Sequence, residues 1–217
     1  HRGIFRLKRK IVFDSLAIGM SPFLMNLAAC FIVIIINQGL KKYGGDLAIG
    51  AFGIVNRLVF IVVMIVMGLN QGMQPIAGYN FGAKLYGRVN KVLRLTIIYA
   101  TAVTTFGFLV GMLVPDLVVG IFTSDAELTE LSVTGLRITV MFFPIIGFQM
   151  VTSNFFQSIG MAGKAIFLSL PRQMLVLPQF FGVAGVWYSM PVSDLLASLI
   201  ALVMLVCQFR KFRTSPL

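Results

Sequence analysis

The chain has 217 residues, of which 58% are hydrophobic and only 12% are charged, about half the charged fraction of an ordinary soluble domain. This composition excludes a water-soluble globular domain and indicates a membrane protein. The net charge of +11 would also suit a nucleic-acid-binding protein. Its basic residues, however, lie in short groups between apolar segments, which is typical of membrane topology signals and predicts no nucleic-acid partner.

Apolar segments long enough to cross about 30 Å of hydrocarbon, which takes about 20 helical residues, recur along the chain. Six spans are predicted: Leu16–Leu40, Leu47–Ile76, Leu95–Leu117, Leu131–Ile159, a short fifth at Ala165–Phe181, and Val183–Val206. The expected fold is an all-α membrane protein whose residues 15–206 form a six-transmembrane-helix bundle in the lipid bilayer. A basic segment at residues 1–14 and a basic tail at residues 207–217 are expected to flank it in the cytoplasm.

The charged residues are divided unequally between the two ends of these spans. Basic residues precede the first span and follow the second, fourth and sixth: Arg2, Arg6, Lys8, Arg9, Lys10, Lys84, Arg88, Lys91, Arg94, Lys164, Arg210, Lys211 and Arg213. The other side receives two lysines and most acids: Lys41, Lys42, Asp46, Asp116, Asp125, Glu127 and Glu130. The positive-inside rule therefore predicts a multi-pass protein of the plasma (inner) membrane with both termini in the cytoplasm. An even number of spans gives the same topology.

The segments between the spans predict how the helices connect. KKYGGD, residues 41–46, predicts a tight turn between antiparallel first and second spans. Before the fourth span, Ser124 or Asp125 is expected to cap a helix that has Glu127 in its first turn. Glycine pairs at a spacing of four residues are expected to let helices approach closely: Gly68 with Gly72, Gly78 with Gly82, and Gly107 with Gly111.

Three predicted spans carry polar stripes. At about 100° per residue, Asn56, Asn70 and Gln74 fall within about 40° of one another on the second span. Polar groups inside a bilayer turn toward protein partners or water, so each amide is either an interhelical contact or part of a cavity lining. For the set as a whole we favour a water-accessible substrate cavity. Its candidate residues are Asn26, Asn37, Asn56, Arg57, Asn70, Gln71, Gln74, Gln149, Asn154 and Gln157.

Asp194 is the only acid well inside a predicted span, and it follows Pro191 by three residues. It is predicted either to bind a coupling ion or to cap the helix backbone freed by the proline, and we favour the cap. The spans contain no paired carboxylates or metal-ligand clusters, and the only histidine is His1. The sequence therefore predicts neither an enzyme nor a bound cofactor or metal.

Four segments resemble the multidrug and toxic compound extrusion (MATE) transporters. Residues 52–94, which contain GLNQGMQPIAGYNFGAK, resemble the second helix and following loop of that family's C-terminal lobe. SPFLMNLAA and FFPIIGFQMVTSNFFQSIGMAGKA resemble its first and fourth helices, and SLPRQMLVLPQFFGVAGVWYSMPVSDLLA its last two. The resemblance covers nearly the whole chain, in the family's order.

The resemblance implies one lobe of a pseudo-symmetric twelve-helix antiporter that exchanges small organic cations for sodium ions or protons by alternating access. It also implies an N-terminal lobe, missing from this chain, as a partner. FLMNLAA and PIIGFQM lack the acids that couple cations in some relatives, so Asp194 or a carboxylate of the other lobe would have to serve. The segment from Gln173 to Leu177 is about two turns shorter than in the family, so either the fifth helix is shortened or residues are absent from the sequence as given.

Two alternatives stay open at this point. A lipid-linked or polysaccharide flippase of the same superfamily would need a strongly basic cavity, but only Arg57, Arg137 and Arg172 lie inside the spans. A truncated, non-transporting membrane scaffold would suit the shortened fifth span and the missing lobe.

Overall fold

The structure, a computed structural model, describes residues 9–161, 163–164, 167–168 and 192–208, and within these ranges every regular element is a helix. The helices are α1 (Arg9–Gly82), α2 (Tyr86–Leu113), α3 (Pro115–Gly120), α4 (Ala126–Val140), α5 (Phe143–Ser158) and α6 (Val192–Gln208). The expected all-helical fold is confirmed. Most of the predicted fifth span lies outside the described residues, as do residues 1–8 and 209–217.

Helix α1 consists of two limbs joined at Gly45. There the backbone has φ 64° and ψ −163°, a region that is essentially restricted to glycine because a Cβ atom would clash with the backbone. The break falls inside KKYGGD, where a turn was expected. The second limb, Gly44–Gly82, contains the predicted span Leu47–Ile76 and is long and apolar enough to cross a membrane.

Two described helices are each long and apolar enough to cross a membrane: α2, and the second limb of α1. A third span is present if α4 and α5 are counted as one. The expectation of a continuous fourth span is wrong in detail, because α4 and α5 are bent by 54° at the intervening break. Pro144 explains the break. It has no N–H to donate, its ring clashes with the carbonyl four residues earlier, and it occupies the first turn of α5, where a helix tolerates proline.

Close contacts define how the helices run. Gly50 lies against Leu128 of α4, and Gly78 lies against the carbonyl of Ser158 at the end of α5. From the first contact to the second, the residue number rises both on α1 and on its partner helices, so the second limb of α1 runs parallel to α4 and α5. The short turn after Gly82 sends α2 back antiparallel, with Gly107 against Val62. The buried core lies where these helices meet, and includes Val66, Met73, Leu93, Val151 and Phe155.

This arrangement separates the charges along the bundle. At the end where α1 turns into α2 lie Lys84, Arg88, Lys91, Arg94 and Lys164, which we call the basic end. At the opposite end, the acidic end, lie Asp46, Asp116, Asp125, Glu127 and Glu130. The cap of α4 is confirmed there, since the Asp125 carboxylate accepts a hydrogen bond from the Leu128 N–H at 2.9 Å.

Candidate functional site

The polar stripes of the second and fourth spans meet in the interior. The Gln74 side-chain N–H donates to the Asn154 side-chain oxygen at 3.2 Å, which joins α1 to α5. The Asn154 amide in turn donates to the Met150 carbonyl, one turn earlier in its own helix, at 2.9 Å. In this conformation both amides therefore bond within the protein. We call the four buried or half-buried amides of this region, Asn70, Gln74, Gln149 and Asn154, the inner seam.

Asn70 lies one turn before Gln74 on the same side of α1 and is 1% exposed. Within the part of the chain that the structure describes, neither its amide nitrogen nor its amide oxygen has a hydrogen-bond partner. Leaving a buried amide unsatisfied costs about 1–3 kcal/mol. Among the described residues, Gln74 therefore has a stabilising hydrogen bond and Asn70 has none.

Hydrogen bonds from Gln149 and Lys164 connect Leu168 and Gln208, later in the chain, to this core. Gln149 is 4% exposed, and its side-chain N–H donates to the Leu168 carbonyl at 3.3 Å. The Lys164 ammonium donates to the Gln208 side-chain oxygen at 2.9 Å and lies 5.2 Å from the centre of the Phe156 ring. The last turn of α6 is thereby held at the basic end.

Asp194 is 5% exposed and lies in the first described turn of α6. Its backbone carbonyl accepts a hydrogen bond from the Ser198 hydroxyl at 2.7 Å. Pro191, which suggested a capping role for Asp194, lies outside the described residues. Asp194 is therefore buried in the bundle, and both its capping and its ion-binding roles stay predictions.

The other candidate residues lie at the surface of the bundle. Asn26 and Asn37 belong to the first limb of α1, where Asn26 is exposed and Asn37 is half-buried. Asn56, Arg57 and Gln71 are exposed on the second limb, and Gln157 is exposed on α5. We call the latter four residues the outer face.

Three members of the outer face share one side of the α1–α5 pair. Helix α2 packs on one side of this pair, with Gly107 against Val62 and Gly147 against Ala100. At about 100° per residue, Gln71 is rotated by about 60° from Gln74 around the axis of α1. Gln157 is rotated by about 60° from Asn154 around the axis of α5, in the opposite sense. Because the two helices are parallel, opposite rotations carry both side chains to the side away from α2. Arg57 is rotated in the same sense as Gln71.

Some of the paired glycines lie at close helix contacts, and others do not. A Cβ atom at Gly78 would lie 3.0 Å from the Ser158 carbonyl oxygen, one at Gly107 2.9 Å from Val62, and one at Gly111 3.1 Å from Val140. The expected close packing is confirmed at these positions. At Gly68, Gly72 and Gly82 an added Cβ atom would meet no neighbour within 4 Å among the described residues.

Sequence reasoning missed the closest of the glycine contacts and two amides that bury a side-chain oxygen. A Cβ atom at Gly147 would lie 2.6 Å from the Thr104 hydroxyl and 2.9 Å from the Ala100 carbonyl oxygen. Asn80 and Asn90 each bury a side-chain oxygen without a partner in the described region. Asn80 continues the buried spacing of Asn70, Met73 and Ala77, which is a signal that the sequence did contain. Among the described residues, no group of three or more potential metal ligands is found.

Comparisons with known proteins agree with this architecture. The family model described as MatE matches residues 20–178. Multidrug export protein MepA of Staphylococcus aureus (strain MSSA476) is 26% identical over 200 residues, which cover 89% of this chain and 44% of MepA. MepA of Staphylococcus saprophyticus is 23% identical over 203 residues, covering 91% of this chain and 45% of that protein.

Solved structures show the same fold. The MATE multidrug transporter DinF-BH in complex with R6G has a TM-score of 0.84 and is 33% identical, with 99% of this chain and 50% of DinF-BH covered. A MOP superfamily transporter from Pyrococcus furiosus has a TM-score of 0.85 at 19% identity, with 97% and 49% covered. The chain thus spans about half the length of the relatives that it matches.

Proposed function

The chain belongs to the MatE family of multidrug efflux transporters, and on that premise we propose that it is the C-terminal six-helix half of a secondary-active exporter. The complete exporter exchanges amphipathic organic cations for sodium ions or protons by alternating access. Its other half is a second six-helix lobe, and the substrate cavity lies between the two.

The outer face is the observation that carries this proposal. Asn56, Arg57 and Gln71 are exposed on a helix that is long and apolar enough to cross a membrane. Polar and charged side chains at such positions turn toward a water-filled cavity or another protein segment, because hydrocarbon cannot satisfy them. A cavity between two lobes supplies both the water and the second protein segment.

The chemistry of this face suits organic cations. Its amides offer neutral hydrogen-bonding groups, and neighbouring Met64 and Met67 are 55% and 41% exposed. Methionine is flexible and polarisable and packs well against aromatic rings of varied shape. A flippase for anionic lipid-linked sugars would need several cations here, whereas the outer face carries only Arg57. The exporter is therefore favoured over the flippase.

Orientation and ion coupling complete the proposal. By the positive-inside rule the basic end faces the cytoplasm, and both termini are predicted to lie there as well. The outer face contains no carboxylate, so coupling to sodium ions or protons depends on Asp194 or on a carboxylate of the other lobe. The lobe is expected to export nothing alone.

Efflux of ethidium, a fluorescent cation, tests this function. Cells would express the chain alone, the chain with a first six-helix lobe, and the joined protein carrying Arg57→Ala or the matched Arg88→Ala, each under imposed sodium and proton gradients. We expect gradient-dependent efflux only when both lobes are present, reduced by Arg57→Ala and retained in Arg88→Ala, which changes an exposed arginine at the basic end. No efflux from the joined protein despite membrane insertion would contradict the exporter.

A further inference from the structure

An apolar groove lies between α1, α2, α3, α4 and α5, on a different side of α1 from the outer face. Its volume is about 240 Å³. All fourteen lining residues are apolar: Leu58, Val59, Ile61, Val62, Ile65, Val103, Phe106, Gly107, Val110, Gly111, Val118, Leu136, Val140 and Phe143. No hydrogen-bonding side chain lines it, so it suits neither a drug cation nor water.

The mouth of the groove lies near the middle of a helix that is long and apolar enough to cross a membrane. Three of its residues, Ile61, Ile65 and Phe106, are 57%, 52% and 68% exposed and form its mouth. The two isoleucines lie at the middle of the limb Gly44–Gly82, which is long enough to span the membrane. The molecules that meet this mouth in a membrane are therefore lipid acyl chains.

Glycines form part of the wall of the groove. Gly107 and Gly111 line it on α2, where added Cβ atoms would lie 2.9 Å from Val62 and 3.1 Å from Val140. The helices are thus in contact behind the groove, which gives it a closed back and an open mouth.

Acidic residues lie near one end of the groove. Helix α3 contributes Val118 to the groove and carries Asp116 in its first turn. No lysine or arginine occurs from Leu95 to Leu136, whereas four acids do. A headgroup at this end of the groove therefore meets carboxylates, which favour an ammonium group and repel a net negative charge.

We propose that this groove binds an acyl chain of a phospholipid with an ammonium headgroup, the phosphatidylethanolamine class. Van der Waals contact with the shaped apolar wall holds the chain, and the carboxylates near α3 set the headgroup preference. This site depends on membrane insertion and not on transport, so it stands or fails separately from the exporter.

Native mass spectrometry of the purified full chain, equilibrated with equal amounts of phosphatidylethanolamine and phosphatidylglycerol, tests the site. We expect phosphatidylethanolamine to be retained over phosphatidylglycerol by about fivefold. Val110→Phe places a ring in the groove and is expected to lower retention about tenfold. The matched control is Val203→Phe on α6, which is 63% exposed and outside the groove. Asp116→Asn is expected to keep lipid binding and lose the headgroup preference.

Phe106→Ala removes an exposed side chain at the mouth without adding bulk, and it replaces Val110→Phe if the larger ring prevents folding. We expect it to lower retention about threefold. Equal retention in the groove variant and the Val203→Phe control would overturn the site. Equal or greater retention of phosphatidylglycerol by the unaltered chain would overturn the choice of lipid, and binding of ethidium in place of either lipid would overturn both.

Discussion

Gln71 and Gln74 are the same residue type, one helical turn apart on the same membrane helix, yet they lie in different surroundings. Gln74 bonds to Asn154 inside the bundle, whereas Gln71 is exposed on the outer face. An amide in an apolar helix therefore has no fixed role. The helix packed against it decides whether it bonds within the fold or stays exposed.

The difference has a simple geometric origin. Residues four apart on α1, such as Gln74 and Gly78, both face α5, while Gln71 is rotated away from that contact. Glycines follow the same rule, since a Cβ atom added at Gly78 would lie against the Ser158 carbonyl, whereas one at Gly68 would meet no described residue of another helix within 4 Å. We therefore expect substitutions in the inner seam and the tight crossings to change stability, and substitutions on the outer face to change transport.

The largest stability effect is expected at the tightest crossing. Gly147→Ala places a methyl group against Thr104 and Ala100, and such overpacking costs about 1–3 kcal/mol. The matched control is Gly68→Ala, where the added methyl group meets no described residue of another helix within 4 Å and the better helix propensity of alanine adds up to about 1 kcal/mol. Thermal unfolding in detergent measures both. A Gly147→Ala protein as stable as Gly68→Ala would show that this crossing is looser than described.

Asn70→Leu should have a smaller effect and the opposite sign. It removes the buried amide that has no partner among the described residues and puts an apolar side chain of similar size in its place. Such a replacement is neutral or stabilising, and we expect a gain of about 1 kcal/mol. Chemical denaturation compares it with Gln74→Leu, which removes a bonded amide of the same seam. A loss of stability in Asn70→Leu as large as in Gln74→Leu would mean that Asn70 has a partner.

The smallest effect is expected for the hydrogen bond itself. A double-mutant cycle with Gln74→Leu and Asn154→Leu should give a coupling energy of about 0.6 kcal/mol, the average for side-chain hydrogen bonds between membrane helices. The same cycle with Gln71→Leu and Gln157→Leu is the control, and both of these side chains are exposed. Equal coupling energies in the two cycles would show that the inner seam and the outer face do not differ in hydrogen bonding.

Much of the fold follows from the sequence because lipid imposes simple constraints. Apolar length indicates the second and third spans, Asp125 marks the start of α4, and KKYGGD locates the break at Gly45. The 54° bend between α4 and α5 was not predicted, although Pro144 was visible. A proline can begin a helix or kink one, and the sequence alone does not separate these outcomes.

The site was less predictable than the fold. Periodicity shows which amides share one side of a helix, but not which neighbouring helix covers that side. The meeting of Gln74 with Asn154 depends on the parallel register of α1 and α5, over a separation of 80 residues. Gly147 gave no sign of its crossing, because it forms no four-residue pair with another glycine.

Water access to the outer face tests the central claim most directly. In a background with Cys30→Ala and Cys207→Ala, single cysteines at Gln71 and Gln74 would be labelled with a membrane-impermeant maleimide in vesicles that contain the joined two-lobe protein. We predict rapid labelling at position 71, slowed by ethidium, and little labelling at position 74. Labelling of position 74 alone, or labelling of position 71 that ethidium leaves unchanged, would contradict a substrate cavity at the outer face.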